Sequence, residues 1–295
     1  MRFTTKDRIA IVTLSNNHGV CLGFLLEVLK NYDVDVYISP EGDRYKWIDY
    51  YRRLYTFTPV FDTSNINVKN YLKVIKITHA DNCLHNEDTL SILHLADNSL
   101  INHASKKFIS ITPYVKGTST HYMFPSYSPV LNSTPVSNIV SFVGYYLNSN
   151  IDQDTDRFIQ DNLDYMFIFI LWGDTNYSNL EKHSNVKVLH SVETNTLLNI
   201  VSSSRFVLSK KYINYDRYSG QLGMAVSFEK PLIIDSKTAS AYGLPGFLFY
   251  DNYSEVGKLN LIDDSRYNSI VDATKRFKQQ TIQNNHATLG GLVSI

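Results

Sequence analysis

Cysteine is scarce: only Cys21 and Cys83 occur in 295 residues. Both stand in apolar stretches and read as reduced, buried thiols, so no disulfide framework holds this fold. No apolar run of about 18 residues exists, and the N-terminal Met-Arg-Phe-Thr-Thr-Lys-Asp-Arg lacks the apolar core of a signal peptide. The expectation is a soluble, cytoplasmic protein without a transmembrane segment. Net charge is lacking too, since 28 basic side chains balance 28 acidic ones. That balance leaves no footprint for nucleic acid or an anionic membrane, and any site for an anion has to be built locally. No Gly-x-Gly-x-x-Gly follows the first strand and no Gly-Lys-Ser/Thr loop occurs, which argues against a dinucleotide-binding oxidoreductase. No Gly-x-Ser-x-Gly elbow and no informatively spaced Cys–His pair support a hydrolase triad. His79, Asp81 and His85 fit no standard metal-ligand spacing.

What is present is an apolar fraction of 43% and a length that suits two domains of about 130–150 residues. Ile9–Leu14 is an apolar run of strand length, followed by the polar Ser15-Asn16-Asn17-His18-Gly19 and a helical pattern over Val20–Lys30. Val34–Ile38 completes a βαβ unit, the signature of a parallel sheet. Helices are expected over Arg44–Tyr55 and Glu87–Leu95, and strands over Pro59–Phe61, Tyr71–Thr78, Leu100–His103 and Phe108–Thr112. From Pro113 to Asn138 serine, threonine and proline dominate and no period holds, which reads as a linker. The pattern restarts with strands over Ile139–Val143, Tyr165–Leu171, Val186–Leu189, Arg205–Leu208, Leu232–Ile234 and Phe247–Tyr250. Helices over Asp152–Asn162, Tyr177–His183 and Thr194–Ser202 fall between them, and Ser265–Asn285 reads as a terminal helix with a charged middle. The domain boundaries that follow are 1–130 and 131–295.

Open parallel α/β sheets bind ligands beyond the carboxyl ends of their strands, so the residues just after each strand are the candidates. In the first half these are His18 and Gly19, then His79 and Asp81. A histidine or carboxylate there suits a general base, and a glycine lets a ligand approach the backbone; a capped polar loop is the plainer alternative. In the second half they are Gly144, then Trp172 and Gly173, then His190, then Lys210 and Lys211. The last two put cations beside the turn Ser219-Gly220-Gln221, which opens a short apolar helix through Leu222. First-turn amides without intrahelical partners, at the positive end of the macrodipole, suit a phosphate. The helix breaks at Lys230-Pro231 and the chain drops into the strand Leu232-Ile233-Ile234.

This order of turn, helix, Lys-Pro and strand resembles the nucleotide-sugar site of GT-B glycosyltransferases. Phe142-Val143-Gly144, Phe169 to Gly173, Val188-Leu189-His190 and Arg205 to Ser209 stand in the order typical of the retaining group 1 enzymes. The resemblance implies two Rossmann-like α/β domains facing across a cleft, with a C-terminal helix crossing back to the first. It implies transfer of a sugar from a nucleotide diphosphate sugar to a glycan or other hydroxyl acceptor, with no metal and no cofactor. Two glutamates usual in group 1 fall on Asp216 and Met224. Asp216 keeps a carboxylate beside the donor sugar, whereas Met224 leaves the ribose to Glu193 or Gln221. The basic pair usual after the first strand of that domain is absent, and Lys210, Lys211 or Arg217 stands in for it. An inverting enzyme needs His18, His79 or Asp81 as base; a retaining one needs Asp216. The rivals are a nucleotide-sugar epimerase of the same architecture and a non-catalytic two-domain binding protein.

Overall fold

The computed structural model describes residues 8–13, 19–64, 66–77, 89–93, 107–115, 120–129, 137–144, 153–171, 178–209, 218–245 and 248–293. The chain divides into two compact units. One comprises Met1–Ser128, Asn214–Gly220 and Gln279–Ile295; the other comprises Pro129–Ile213 and Gln221–Lys278.

The first unit holds strands β1 (Arg8–Thr13), β2 (Asp33–Ile38), β3 (Thr58–Val60), β4 (Lys73–Ile77), β5 (Thr89–Leu93), β6 (Lys107–Ser110) and β7 (Thr120–Tyr122). They form one sheet in the order β3-β2-β1-β4-β5-β6-β7, with every pair parallel. Ile9, Ala10, Ile11 and Val12 are all buried, as a strand covered on both faces requires. Helix α1 (Gly19–Val28) is buried along its whole length, and Glu27 is its one charged residue. It packs against α2 (Trp47–Tyr51) through Gly19 and Gly23. A Cβ at these positions would lie 1.9 Å from Trp47 Cε2 and 2.3 Å from the Tyr51 hydroxyl. The Tyr51 hydroxyl also donates to the Gly19 carbonyl at 2.8 Å.

The sequence-based expectations need correction in several places. The helix expected over Arg44–Tyr55 is confined to Trp47–Tyr51, because Lys46 takes a left-handed conformation (φ 62°) just before it. The Asp43 carboxylate accepts the Ile48 N–H at 2.9 Å and fixes that start. The helix expected over Glu87–Leu95 is replaced by β5, buried throughout and paired with β4 and β6. A short apolar run buried on both faces gives no period by which to tell strand from helix. The stretch from Pro113 contains β7, and Met123 to Tyr127 after it are buried. The Phe124 carbonyl accepts Asn285 Nδ2 at 2.8 Å, Ser126 pairs with Thr281 at 3.0 Å, and the Ser128 N–H donates to Glu27 Oε2 at 3.0 Å. The strand expected over Leu100–His103 lies outside the described residues. Cys21 is buried, and burial pushes its thiol up to about 12; Cys83 lies outside the described residues.

The second unit alternates β8 (Ser137–Gly144), α3 (Gln153–Asp161), β9 (Met166–Leu171), α4 (Ser178–Glu181), β10 (Val186–His190), α5 (Thr194–Ser203) and β11 (Ser204–Leu208). Then come α6 (Gly220–Ser227), β12 (Leu232–Asp235), α7 (Ser236–Tyr242), β13 (Leu248–Tyr250), α8 (Tyr253–Val256) and the start of α9 (Asp264–Val293). The parallel sheet has the order β10-β9-β8-β11-β12-β13. Phe142, Phe158, Phe167, Phe169, Phe206 and Tyr250 belong to the core on one of its faces. Helix α7 was not anticipated; Asp235 caps it by accepting the Thr238 N–H at 2.8 Å, and Gly243 (φ 63°) ends it. The terminal helix continues to Val293, beyond the expected end at Asn285. Its charged middle is not all solvated: Lys278 is buried and donates to Glu229 and to the Ser227 carbonyl.

Candidate functional site

In the second sheet β8, β9 and β10 run to one side and β11, β12 and β13 to the other, so the strand order reverses between β8 and β11. Such a reversal opens a crevice at the carboxyl ends of the two strands. Here the β8–β11 ladder stops at Ser141↔Val207, while β8 continues to Gly144 paired with Leu171 of β9. The two strands therefore part over their last residues. Gly144 has φ 147°, a conformation that favours glycine, and among the described residues no atom lies within 4 Å of where a Cβ would stand. Gly144 is half-buried.

Helix α6 begins at Gly220, after the chain leaves β11, and its first-turn N–H groups have no acceptors within the helix. Ser219 and Gly220 are half-buried, and a Cβ on Gly220 would meet Val20 at 3.6 Å. Leu222 is buried. Gln221 is 2% exposed, and its Nε2 donates to the Leu208 carbonyl at 2.7 Å. Val207 and Ser209 donate their N–H groups to Pro231 and Ile233 on the β12 side, at 2.9 and 2.8 Å. By the alternation of a strand, the carbonyl of Leu208 between them turns to the β8 side, where the ladder has ended. The amide of Gln221 takes the place of the missing strand partner. Because a carbonyl only accepts, the nitrogen must face Leu208, which leaves Oε1 buried without a donor among the described residues. An unpaired buried acceptor costs about 1–3 kcal/mol. The next carbonyl, of Ser209, accepts the Tyr250 hydroxyl. Sequence reasoning missed both ties, since nothing in the pattern links Gln221 to Leu208 or Tyr250 to Ser209.

His190 ends β10, at the edge of the sheet and separated from β8 only by β9. Strand spacing puts it about 10 Å from the end of β8. Glu193 is exposed at the N-cap position of α5, and its side chain makes no capping bond. Met224 is buried among the core residues. Gly19 calls for a correction: its missing Cβ makes room for the Trp47 indole, not for a ligand. In the first sheet the order reverses between β1 and β4, which end at Thr13 and Ile77. His18, His79, Asp81, Trp172, Gly173, Lys210, Lys211, Asp216 and Arg217 lie outside the described residues. Among the described residues no cluster of histidine, cysteine or carboxylate side chains suits a metal ion, and no helix is long and apolar enough to cross a membrane.

At its other end α6 closes with a Schellman-type turn: the Lys230 N–H donates to Ala225 at 2.8 Å and the Glu229 N–H to Val226 at 3.1 Å. Glu229 sits at φ 58° without being a glycine, and the Lys278 ammonium holds its carboxylate at 3.0 Å. Burial pushes the Lys230 ammonium down to about 8, offset only in part by Glu229.

No protein-family model and no curated protein matches the chain. Solved structures do. Anabaena HepE in complex with UDP and glucose is 10% identical, covers 97% of this chain and 99% of its own, and superposes with a TM-score of 0.66. Arabidopsis thaliana UGT89C1, complexed with UDP-L-rhamnose, is 10% identical over 98% of this chain and 99% of its own, with a TM-score of 0.56. The UDP-GlcNAc 2-epimerase of Methanocaldococcus jannaschii is 9% identical over 84% of this chain and 90% of its own, with a TM-score of 0.52. These likenesses and the two parallel sheets define the fold as GT-B.

Proposed function

We propose that the chain is a glycosyltransferase that takes a sugar from a nucleotide diphosphate sugar to a glycan or other hydroxyl acceptor, with neither metal nor cofactor. One observation carries this reading: Gln221 in the first turn of α6 is tied to the end of β11 just past the last β8–β11 pair, while β8 runs on to Gly144. Amides at Ser219, Gly220, Gln221 and Leu222, with Gly144, bind the diphosphate and stabilise it as leaving group, the work a metal would otherwise do. His190 stands about 10 Å from the end of β8, a span that suits a base bound near it, with Trp172 and Gly173. Lys210, Lys211 and Arg217 supply cations to the diphosphate, and Glu193 or Gln221 meets the ribose. Asp216 contacts the transferred sugar if configuration is retained; His18, His79 or Asp81 deprotonates the acceptor if it is inverted. The fold shared with proteins solved in complex with UDP, UDP and glucose, and UDP-L-rhamnose supports a nucleotide sugar as partner.

Thermal unfolding with a panel of nucleoside diphosphates tests the reading. A ligand present at about a hundred times its Kd adds about 2.7 kcal/mol, a rise in Tm of about 4 °C for a chain of this size. Absence of any rise with every nucleotide contradicts it. The likeness to the epimerase favours a second reading, which a product assay separates. A transferase yields glycosylated acceptor; an epimerase converts the nucleotide sugar with no acceptor present.

A further inference from the structure

Trp47 buries more than packing requires. Its indole stacks on Tyr51 with ring centroids 5.7 Å apart, and a Cβ on Gly19 would lie 1.9 Å from its Cε2. A phenyl ring could occupy such a place with no polar atom to satisfy, whereas an indole brings an N–H that can only donate. Trp47 is 5% exposed, and among the described residues its Nε1 has no acceptor. A buried donor left in that condition costs stability. Nε1 is bonded to Cε2, so this N–H stands against the first residue of α1. There the N–H groups of Gly19, Val20 and Cys21 have no acceptors within the helix and lie at the positive end of its dipole. Thr13, the last residue of β1, is 2% exposed, and its hydroxyl is likewise without a partner among the described residues. The carboxyl end of β1, beside the reversal between β1 and β4, is where a parallel sheet receives a ligand. The Tyr51 hydroxyl is already committed to the Gly19 carbonyl. The indole and the amides only donate, and a hydroxyl can turn to do so. That lining matches a ligand group that only accepts and carries negative charge, a carboxylate or a phosphate.

Resting on the transferase reading above, we propose that Trp47 Nε1, with the Thr13 hydroxyl and the first-turn amides of α1, binds an oxyanion of the sugar acceptor. The acceptor is then an acidic glycan, and the donor diphosphate, assigned to α6, has a separate helix end. The oxyanion is a carboxylate or a phosphate, and the experiment separates the two.

The sequence holds two tryptophans, Trp47 and Trp172, so the isotope-labelled full chain gives two indole N–H resonances, and Trp47→Phe identifies which is which. The probes are methyl β-glucuronide, glucose 6-phosphate and the neutral methyl β-glucoside. The Trp47 resonance is expected to move saturably with the glucuronide if the source is a carboxylate, or with the phosphate ester if it is a phosphate. The glucoside is expected to bind about tenfold more weakly. Trp47→Phe and Thr13→Val are each expected to lose about tenfold in affinity for that acidic probe while keeping the wild-type affinity for UDP. Thr13→Val removes the hydroxyl at nearly constant shape, so it decides the matter even if Trp47→Phe fails to fold. The proposal is overturned if neither acidic probe moves the Trp47 resonance further than the glucoside does, or if either folded variant binds the acidic probe as the wild type does. Equal losses for UDP and the acidic probe overturn it as well, because the group would then serve the donor. A wild type that binds the acidic probe but no nucleotide upholds the oxyanion site and overturns the transferase reading instead.

Discussion

Gly144 and Gly19 both follow strands in the sequence, yet their glycines answer different needs. At Gly144 the requirement is backbone conformation, φ 147°, with nothing among the described residues on the side-chain face. Gly144→Ala is therefore expected to cost about 1–2 kcal/mol through strain alone, measured by urea denaturation, and to weaken nucleotide binding by moving the strand end. At Gly19 the requirement is packing, since a Cβ would overlap the Trp47 indole. Gly19→Ala is expected to cost about 2–3 kcal/mol or more. Wild-type stability in that variant would show that Trp47 does not hold α1 and α2 together. The sequence places a glycine in the right loop in both cases, but it cannot say which side of the residue is occupied. That is why a ligand's approach was inferred at Gly19 where an indole stands. Gln221 was legible as part of the turn offered to a phosphate and as a stand-in on the ribose; its hold on Leu208 depends on strands that part, which no local pattern records.

At the scale of elements, strands with continuous apolar runs, such as β1 and β9, were legible because burial on both faces leaves composition as the signal. The same property misled the reading at β5, where Thr89-Leu90-Ser91-Ile92-Leu93 carries no period distinguishing a helix from a strand. Helix α6 was legible from its ends, a small-residue start and a Lys-Pro break. Its C-terminal turn depends on a distant side chain, because Lys278 holds Glu229 in a left-handed conformation. Glu229→Ala keeps the strain and strips a buried lysine of its counter-charge, so a loss of about 2–4 kcal/mol is expected. Glu229→Gly relieves the strain and is expected to lose about 1 kcal/mol less. Equal losses in the two denaturation curves would mean that the conformation at 229 carries no strain.

Lys230 gives the same turn a pH dependence. Its ammonium is held near 8 in the folded chain against an ordinary value of 10.5. Between those values the unfolded chain binds more protons, so this group makes stability rise as pH increases from about 8 to 10.5, and it is a burden of up to about 3 kcal/mol below that window. Lys230→Met is expected to stabilise the protein at pH 7 and to flatten the alkaline rise in its Tm. A variant less stable at pH 7, with the rise unchanged, would assign the effect to another group.

Across the whole molecule, the sequence revealed two α/β halves but not the path of the chain, which returns to the first unit at Asn214–Gly220 and again at Gln279–Ile295. Hydrogen bonds from residues far apart in sequence fix that path, among them Asn285 to Phe124 and Ser126 with Thr281. Glu27 secures the same segment by accepting the Ser128 N–H, the Tyr55 hydroxyl and the Lys30 ammonium. Burial pushes its carboxyl up, but these three partners outweigh that and hold it below its ordinary 4.5. Its contribution is complete above that value and is lost as pH falls through the lower folded value. Glu27→Gln is accordingly expected to destabilise the chain at pH 7 and to lessen the fall in Tm below about pH 4.5. An unchanged acid limb would place that sensitivity elsewhere.

The most direct measurement is a crystal structure of the protein grown with UDP. The expected result is density for the diphosphate within hydrogen-bond distance of the backbone N–H groups of Gly220, Gln221 and Leu222 and lying against Gly144. A nucleotide seated elsewhere, with that turn unchanged and unoccupied, would contradict the assignment.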